Sequence, residues 1–231
     1  MIEKKKIGII GGVGSLATVD IFNKIVENTF AENDQENIPV LIYNNPKIPD
    51  RTKSILHDGE SPVEEIVNTG KILEKMGADL LCIPCNTAHY YFNILENSFN
   101  VPLLNMIDIT VDYVKEKKYK KVCVLGTEGT IKSKIYHNKL LENNIENYIF
   151  DNKFLDRLTF IIYDVVKKNN FNIGIGDFEN LLKDMANKND IDVFILGCTE
   201  LPVVFERFNI DVNYVDPTLL LAKKLISLVR N

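Results

Sequence analysis

The chain has 231 residues, 45% apolar and 26% charged, with a formal net charge of −5 and four cysteines, which fits a globular protein of one large domain or two of about 100 residues each. The acidic balance disfavours nucleic acid as a partner, because phosphate binding needs a basic face, and no segment approaches the roughly 20 apolar residues of a membrane span. The first residues, with Lys4-Lys5-Lys6, lack a signal peptide's apolar stretch, so a cytoplasmic location is expected.

Short apolar runs alternate with amphipathic stretches along the chain. A strand at 6–10 leads to a helix at 18–30, a strand at 39–43 to a helix at 62–76, and a strand at 80–83 to a helix at 88–98. A strand at 103–105 leads to a helix at 109–117 and one at 121–125 to a helix at 131–143. A strand at 147–150 leads to helices at 153–169 and 177–187, followed by strands at 193–196 and 212–214 and a last helix at 217–229. Ser61-Pro62 and Asp216-Pro217 are helix-start pairs, and Met76-Gly77 is a helix stop. The alternation predicts an α/β fold with mostly parallel sheets, whose strands are apolar on both faces because helices cover both sides.

Two pairs of segments repeat. Lys5-Lys6-Ile7-Gly8-Ile9-Ile10-Gly11-Gly12-Val13-Gly14 matches Lys120-Lys121-Val122-Cys123-Val124-Leu125-Gly126-Thr127-Glu128-Gly129 at an offset of 115 residues. Asp79, six residues before Cys85, matches Asp192, six before Cys198, at an offset of 113. Both pairs predict two copies of one α/β unit, at 1–112 and 113–215. Whether a C-terminal helix at 216–231 packs on the first unit is left open.

Ligands of parallel sheets bind beyond the carboxyl ends of strands. The loops 11–14, 84–89, 126–130 and 197–201 lie there and are expected to surround one cleft. Cys82 and Cys123 sit inside apolar runs and read as buried structural residues. Cys85 and Cys198 stand beside polar loop residues and are the candidate reactive thiols. The first glycine loop lacks the continuation of a dinucleotide fingerprint; its N–H groups suit a carboxylate instead. Cys82 and Cys85 have a zinc-like spacing, but three residues along a strand turn two side chains to opposite faces, and no second close Cys/His pair exists. Neither metal nor cofactor is expected.

Pro84-Cys85-Asn86-Thr87-Ala88-His89 together with Leu196-Gly197-Cys198-Thr199-Glu200-Leu201 resembles the signature of the cofactor-independent aspartate/glutamate racemase superfamily. Gly8 to Gly14, Ile48-Pro49-Asp50-Arg51-Thr52 and Gly126 to Thr130 resemble its aspartate racemase branch, and the resemblance runs in order through essentially the whole chain. Val13 and Ser15 stand where the branch usually has methionine and proline. The resemblance implies two similar α/β domains with the site between them, a homodimer, and interconversion of L- and D-aspartate. Glutamate or broader amino-acid specificity is the alternative; a non-catalytic small-molecule binding protein on the same scaffold is the rival of another class.

In a two-base reaction one thiolate removes the α-proton and the other thiol returns a proton to the opposite face. Cys85 and Cys198 are the candidate pair. Asn86, Thr87, Thr127, Thr130 and Thr199 are candidate donors to the substrate carboxylate. Arg51 offers a planar fork for a carboxylate. By resemblance Arg51 and Lys167 lie in the active site, with Lys168 as the adjacent alternative. His89 either tunes Cys85 or satisfies helix-start groups, and Glu200 either orients Cys198 or caps a helix. His57 and His137 are expected to be exposed.

Overall fold

The structure, a computed structural model, describes residues 5–230; Lys4 of the lysine run lies outside the described residues. The first half contains β1 (Ile7–Gly11), α1 (Ser15–Asn28), β2 (Val40–Asn44), α2 (Arg51–Leu56), α3 (Val63–Lys75), β3 (Leu80–Cys82), α4 (Phe92–Glu96) and α5 (Met106–Glu116). Then come β4 (Lys121–Leu125), α6 (Glu128–Lys132), α7 (Ile135–Glu142), β5 (Glu146–Tyr148), α8 (Asn152–Phe160), α9 (Phe178–Asn189), β6 (Val193–Leu196), α10 (Leu201–Arg207), β7 (Tyr214–Val215) and α11 (Pro217–Arg230). They form two parallel sheets, ordered β2-β1-β3 and β5-β4-β6-β7, each flanked by helices. The fold is α/β, as the strand–helix alternation predicts.

The repeated lysines and aspartates meet in the same way in both sheets. Asp79 accepts a hydrogen bond from the Lys6 N–H at 2.6 Å. Asp192 accepts from the N–H groups of Lys120 and Lys121 at 2.7 and 2.9 Å. Each aspartate's own N–H donates back, to the carbonyls of Lys6 and Lys121 at 2.9 and 2.8 Å. The clamp fixes where β3 starts against β1 and where β6 starts against β4. Six residues on, a cysteine follows each strand.

Several elements differ from their sequence reading. The expected strand at 103–105 is reduced to one bridge between Leu81 and Leu103, because Asn105 turns to cap α5 and accepts from the N–H groups of Ile107 and Asp108. β2 is an edge strand, so Ile42, Tyr43 and Asn44 are exposed rather than buried on both faces. The helix expected at 131–143 breaks at Lys134, which has a φ of 59°; the break lets α7 bury Tyr136 and Leu140 against β4. The helix expected at 153–169 passes from α8 into a π-helical segment, Ile161–Val166. The helix expected at 88–98 opens as a tight 3-10 turn, Thr87–Tyr91. The short helix α2 was not expected.

The final helix returns to the first sheet. Leu221, Ala222, Leu225 and Ile226 of α11 share a core with Ile7 and Ile9 of β1, Ile21 and Ile25 of α1, and Leu80 and Cys82 of β3. α5 joins this core through Met106, while its Ile107, Val111 and Val114 pack with Val122, Val124 and Val193 of the second sheet. Among the described residues, no helix is long and apolar enough to cross a membrane. Leu225 is fully buried, so Leu225→Ala removes core volume that α11 cannot refill. It is expected to cost about 2–5 kcal/mol, read as a lower urea midpoint at unchanged slope. An unchanged midpoint would mean that α11 is not part of the first core.

Candidate active site

The loops after β1, β3, β4 and β6 converge on one narrow cleft. Cys85 and Cys198 both line it, at 7% and 5% exposure. Arg51, Asn86, Thr87, Thr127, Lys167 and Thr199 line it as well. Thr130 stands one layer behind, with its hydroxyl 2.8 Å from that of Thr87 and 3.2 Å from that of Thr127. The open space between these walls is about 10 Å³, room for roughly one water. A roomier cavity adjoins the cleft at Arg51, Lys167 and Glu200 and others lie elsewhere, but no cysteine lines them.

Contacts between the two halves keep the cleft tight. Thr87 of the first half meets Thr127 of the second at 3.0 Å, and the Thr199 hydroxyl donates to the Pro84 carbonyl at 3.1 Å. Gly129 is required here: a Cβ at that position would stand 2.6 Å from the Thr52 hydroxyl and 2.9 Å from the Thr87 methyl.

Arg51 is buried. Asp50 caps α2 by accepting from the Lys53 N–H, and the guanidinium of Arg51 donates to the carbonyls of Val13 and Pro49 at 2.9 and 3.0 Å. Its Nε has no protein partner. Desolvation works against its charge, but Cys85, Asp50 and Glu200 outweigh that and hold it cationic. Lys167 stands at the exposed rim, its ammonium 4.2 Å from the centre of the Tyr163 ring. Desolvation opposes its charge too, and Glu200 and Cys198 keep it protonated. Lys168 points elsewhere, 68% exposed and paired with Asp164.

The environments of the four thiols differ. Cys82 and Cys123 are fully buried, and desolvation alone pushes both far up. Cys198 is also raised well above the usual thiol range, first by desolvation and then by Glu200, with Lys167 pulling the other way. The Cys198 thiol donates to the Glu200 carboxylate at 2.9 Å. Glu200 makes no side-chain capping bond to α10, so the orienting reading fits it and the capping reading does not. Gly14, with a φ of 130°, leaves the room this carboxylate occupies: a Cβ would stand 2.6 Å from its Oε1.

His89 satisfies helix-start groups. Its ring spans the Cys85 carbonyl at 2.9 Å and the Met106 N–H at 3.1 Å. The second contact makes Nε2 the acceptor and Nδ1 the donor, and desolvation lowers the ring's proton affinity. It therefore ties the Cys85 loop to α5 as a neutral imidazole. Asn86 accepts from the Tyr136 hydroxyl at 2.6 Å, while its amide nitrogen is buried without a protein partner. The N–H of Gly12, in the loop expected to face a carboxylate, is already taken by the Thr18 hydroxyl. His57 is exposed as expected, but His137 is half-buried because α7 packs it inward. Sequence reasoning missed Tyr163 and Thr52 as cleft residues. Their signal is position: Thr52 follows Arg51, and Tyr163 stands one helical turn before Lys167.

Residues 10–225 match the family described as Asp/Glu/Hydantoin racemase. The chain belongs to this family of amino-acid racemases. It is 35% identical to the Picrophilus torridus aspartate racemase, with a TM-score of 0.85 over 98% of this chain and 94% of that one. It is 28% identical to the broad specificity amino-acid racemase RacX of Bacillus subtilis, over 96% of each chain. It is also 30% identical to the glutamate racemase of Aquifex aeolicus, over 69% of this chain and 62% of that one. Membership makes the chain an isomerase. Among the described residues, no group of three or more His, Cys, Asp or Glu side chains is placed to hold a metal.

The Glu200 contact has a measurable sign. A thiol with raised pKa forms thiolate only at alkaline pH, and a neighbouring negative charge adds to that rise. Glu200→Gln removes the charge but leaves the burial, so the pH midpoint of Cys198 alkylation by iodoacetamide is expected to fall while staying above the ordinary ~8.5. Peptide mass spectrometry in a Cys85→Ser background reads it. An unchanged or higher midpoint would show that Glu200 does not control this thiol.

Proposed function

We propose that the chain is a cytoplasmic, cofactor-independent racemase that interconverts L- and D-aspartate, with Cys85 and Cys198 as its two bases. The observation that carries this reading is the convergence of both thiols, from equivalent strand ends, on one cleft that also holds Arg51 and Lys167. One cysteine, as thiolate, takes the α-proton: the C–H bond breaks, an S–H bond forms, and the electron pair passes into the α-carboxylate. The other cysteine gives its proton to the opposite face of the α-carbon, and the thiol roles are exchanged for the next turnover. The free amide N–H of Asn86 is suited to donate to the developing charge, whereas the Thr199 hydroxyl spends its one proton on the Pro84 carbonyl. Thr87, Thr127 and Thr130 spend their hydroxyls largely on one another and serve to hold the walls.

Two cations at a cleft this small favour a short amino acid with an acidic side chain, and the 35% identity to an aspartate racemase agrees. Broader specificity is the second reading. A cavity of about 340 Å³ continues from Arg51 and Lys167 past Gly14, Leu16, Pro46 and Ile48, where other side chains could be held. The test is ¹H NMR of L-aspartate with the purified chain in D₂O, under reducing conditions with a chelator. Loss of the α-proton signal with appearance of D-aspartate is expected, and Cys85→Ser and Cys198→Ser should each abolish inversion. Exchange with other amino acids but not aspartate would overturn the specificity. Full activity in either serine variant would overturn the two-base assignment.

The reading includes a homodimer. Leu16, Val19, Phe22 and Val26 expose an apolar strip along the outer face of α1, with no charged residue among them. A second copy can cover it across a two-fold axis without bringing like charges together. Sedimentation velocity should give a dimer for the native chain and a monomer for Phe22→Asp; a dimer in both would place the interface elsewhere.

A further inference from the structure

A second cavity, of about 390 Å³, lies between the α6–α7 turn and the chain leaving β5, within the range of small-molecule pockets. Its body is apolar, formed by Val124, Ile131, Tyr136 and Phe150. Polar side chains interrupt it, His137 and Asn147 among them. Nδ1 of His137 and Oδ1 of Asn147 are both buried without a hydrogen-bond partner. Buried polar atoms are normally paired, and the Asn147 oxygen beside this cavity is an acceptor that a ligand's donor would satisfy, with the His137 ring next to it as a reporter. At the edge, Lys132 is engaged with Glu128, while Lys134, in its left-handed conformation, presents an exposed ammonium.

The cavity wall also touches the cleft. Tyr136 donates its hydroxyl to Asn86 at 2.6 Å, and Thr130 shares a hydrogen bond with Thr87 at 2.8 Å. Asn86 and Thr87 are the two residues that follow Cys85. Two wall residues therefore each hold one residue of the segment that carries a cleft thiol.

We propose that this cavity is a second ligand site, which takes a small carboxylic acid with an apolar body and one hydrogen-bond donor, and that its occupancy is felt at Cys85. The apolar body lies against Val124, Ile131 and Phe150, the donor meets Asn147, and the carboxylate reaches Lys134. The site goes beyond the racemase reading and does not rest on it, because its readouts are binding and thiol reactivity rather than turnover.

The test titrates 4-hydroxyphenylacetate, 3-phenyllactate and indole-3-acetate into the full chain, following the His137 ring nitrogens by ¹⁵N NMR and Cys85 alkylation by mass spectrometry. At least one probe is expected to bind saturably and to shift the His137 resonances. Ile131→Trp, which fills the cavity, and Asn147→Leu, which removes the orphan acceptor, should each weaken binding by about tenfold or more. Circular dichroism confirms their folding, and Asn147→Leu carries the test alone if the tryptophan is not accommodated. Saturation should change the Cys85 alkylation rate by about threefold or more. Failure of all three probes to bind, or binding that survives the substitutions, overturns the site. Binding without any change at Cys85 overturns the coupling.

Discussion

The hydroxyls of Thr87, Thr127 and Thr130 form a triangle of contacts between 2.8 and 3.2 Å, and the cleft depends on it. Thr87 follows β3 of one sheet, while Thr127 and Thr130 follow β4 of the other. Each bond is worth only about 1 kcal/mol, yet together they bring the loop after β3, which carries Cys85, and the loop after β4 into one wall. The bare Cα of Gly129 permits that approach. The cost is closure: with space for about one water, the cleft admits a substrate only when its walls separate. Strength matters less here than reversibility.

Duplication places the two thiols, and divergence separates their environments. The residue two positions after Cys85 is Thr87, which binds across to the other half. The residue two positions after Cys198 is Glu200, which turns back and accepts the thiol proton. Cys85 shares its surroundings with the Arg51 guanidinium. An acidic neighbour on one side and a basic neighbour on the other make a pseudo-symmetric frame electrostatically polar.

Much of this was legible in the sequence because it repeats. Lys6 and Lys121, and Asp79 and Asp192, mark the strand pairs whose ends carry Cys85 and Cys198, so spacing alone carries the thiols to matching places. Short-range chemistry was readable in part: Asp216-Pro217 marks the start of α11, where Asp216 accepts from the Thr218 N–H, whereas the cap that Asp50 places on the helix of Arg51 went unread. What escaped was decided by packing across the cleft. Thr130 looked equivalent to its neighbours until Thr87 came between it and the open space. Tyr163 lies in a π-helical segment whose register no apolar period announces. β2 reads as a buried strand, and only its place at the sheet edge exposes it.

The polypeptide passes between the sheets twice, from α5 into β4 and from β7 into α11. A chain made from its N-terminus therefore leaves the core around Ile7 and Ile9, which α1 covers in part, incomplete until the 14-residue helix α11 has been synthesised. The half that is translated first is the half whose core is completed last, by a helix that the chain reaches only after building the second sheet.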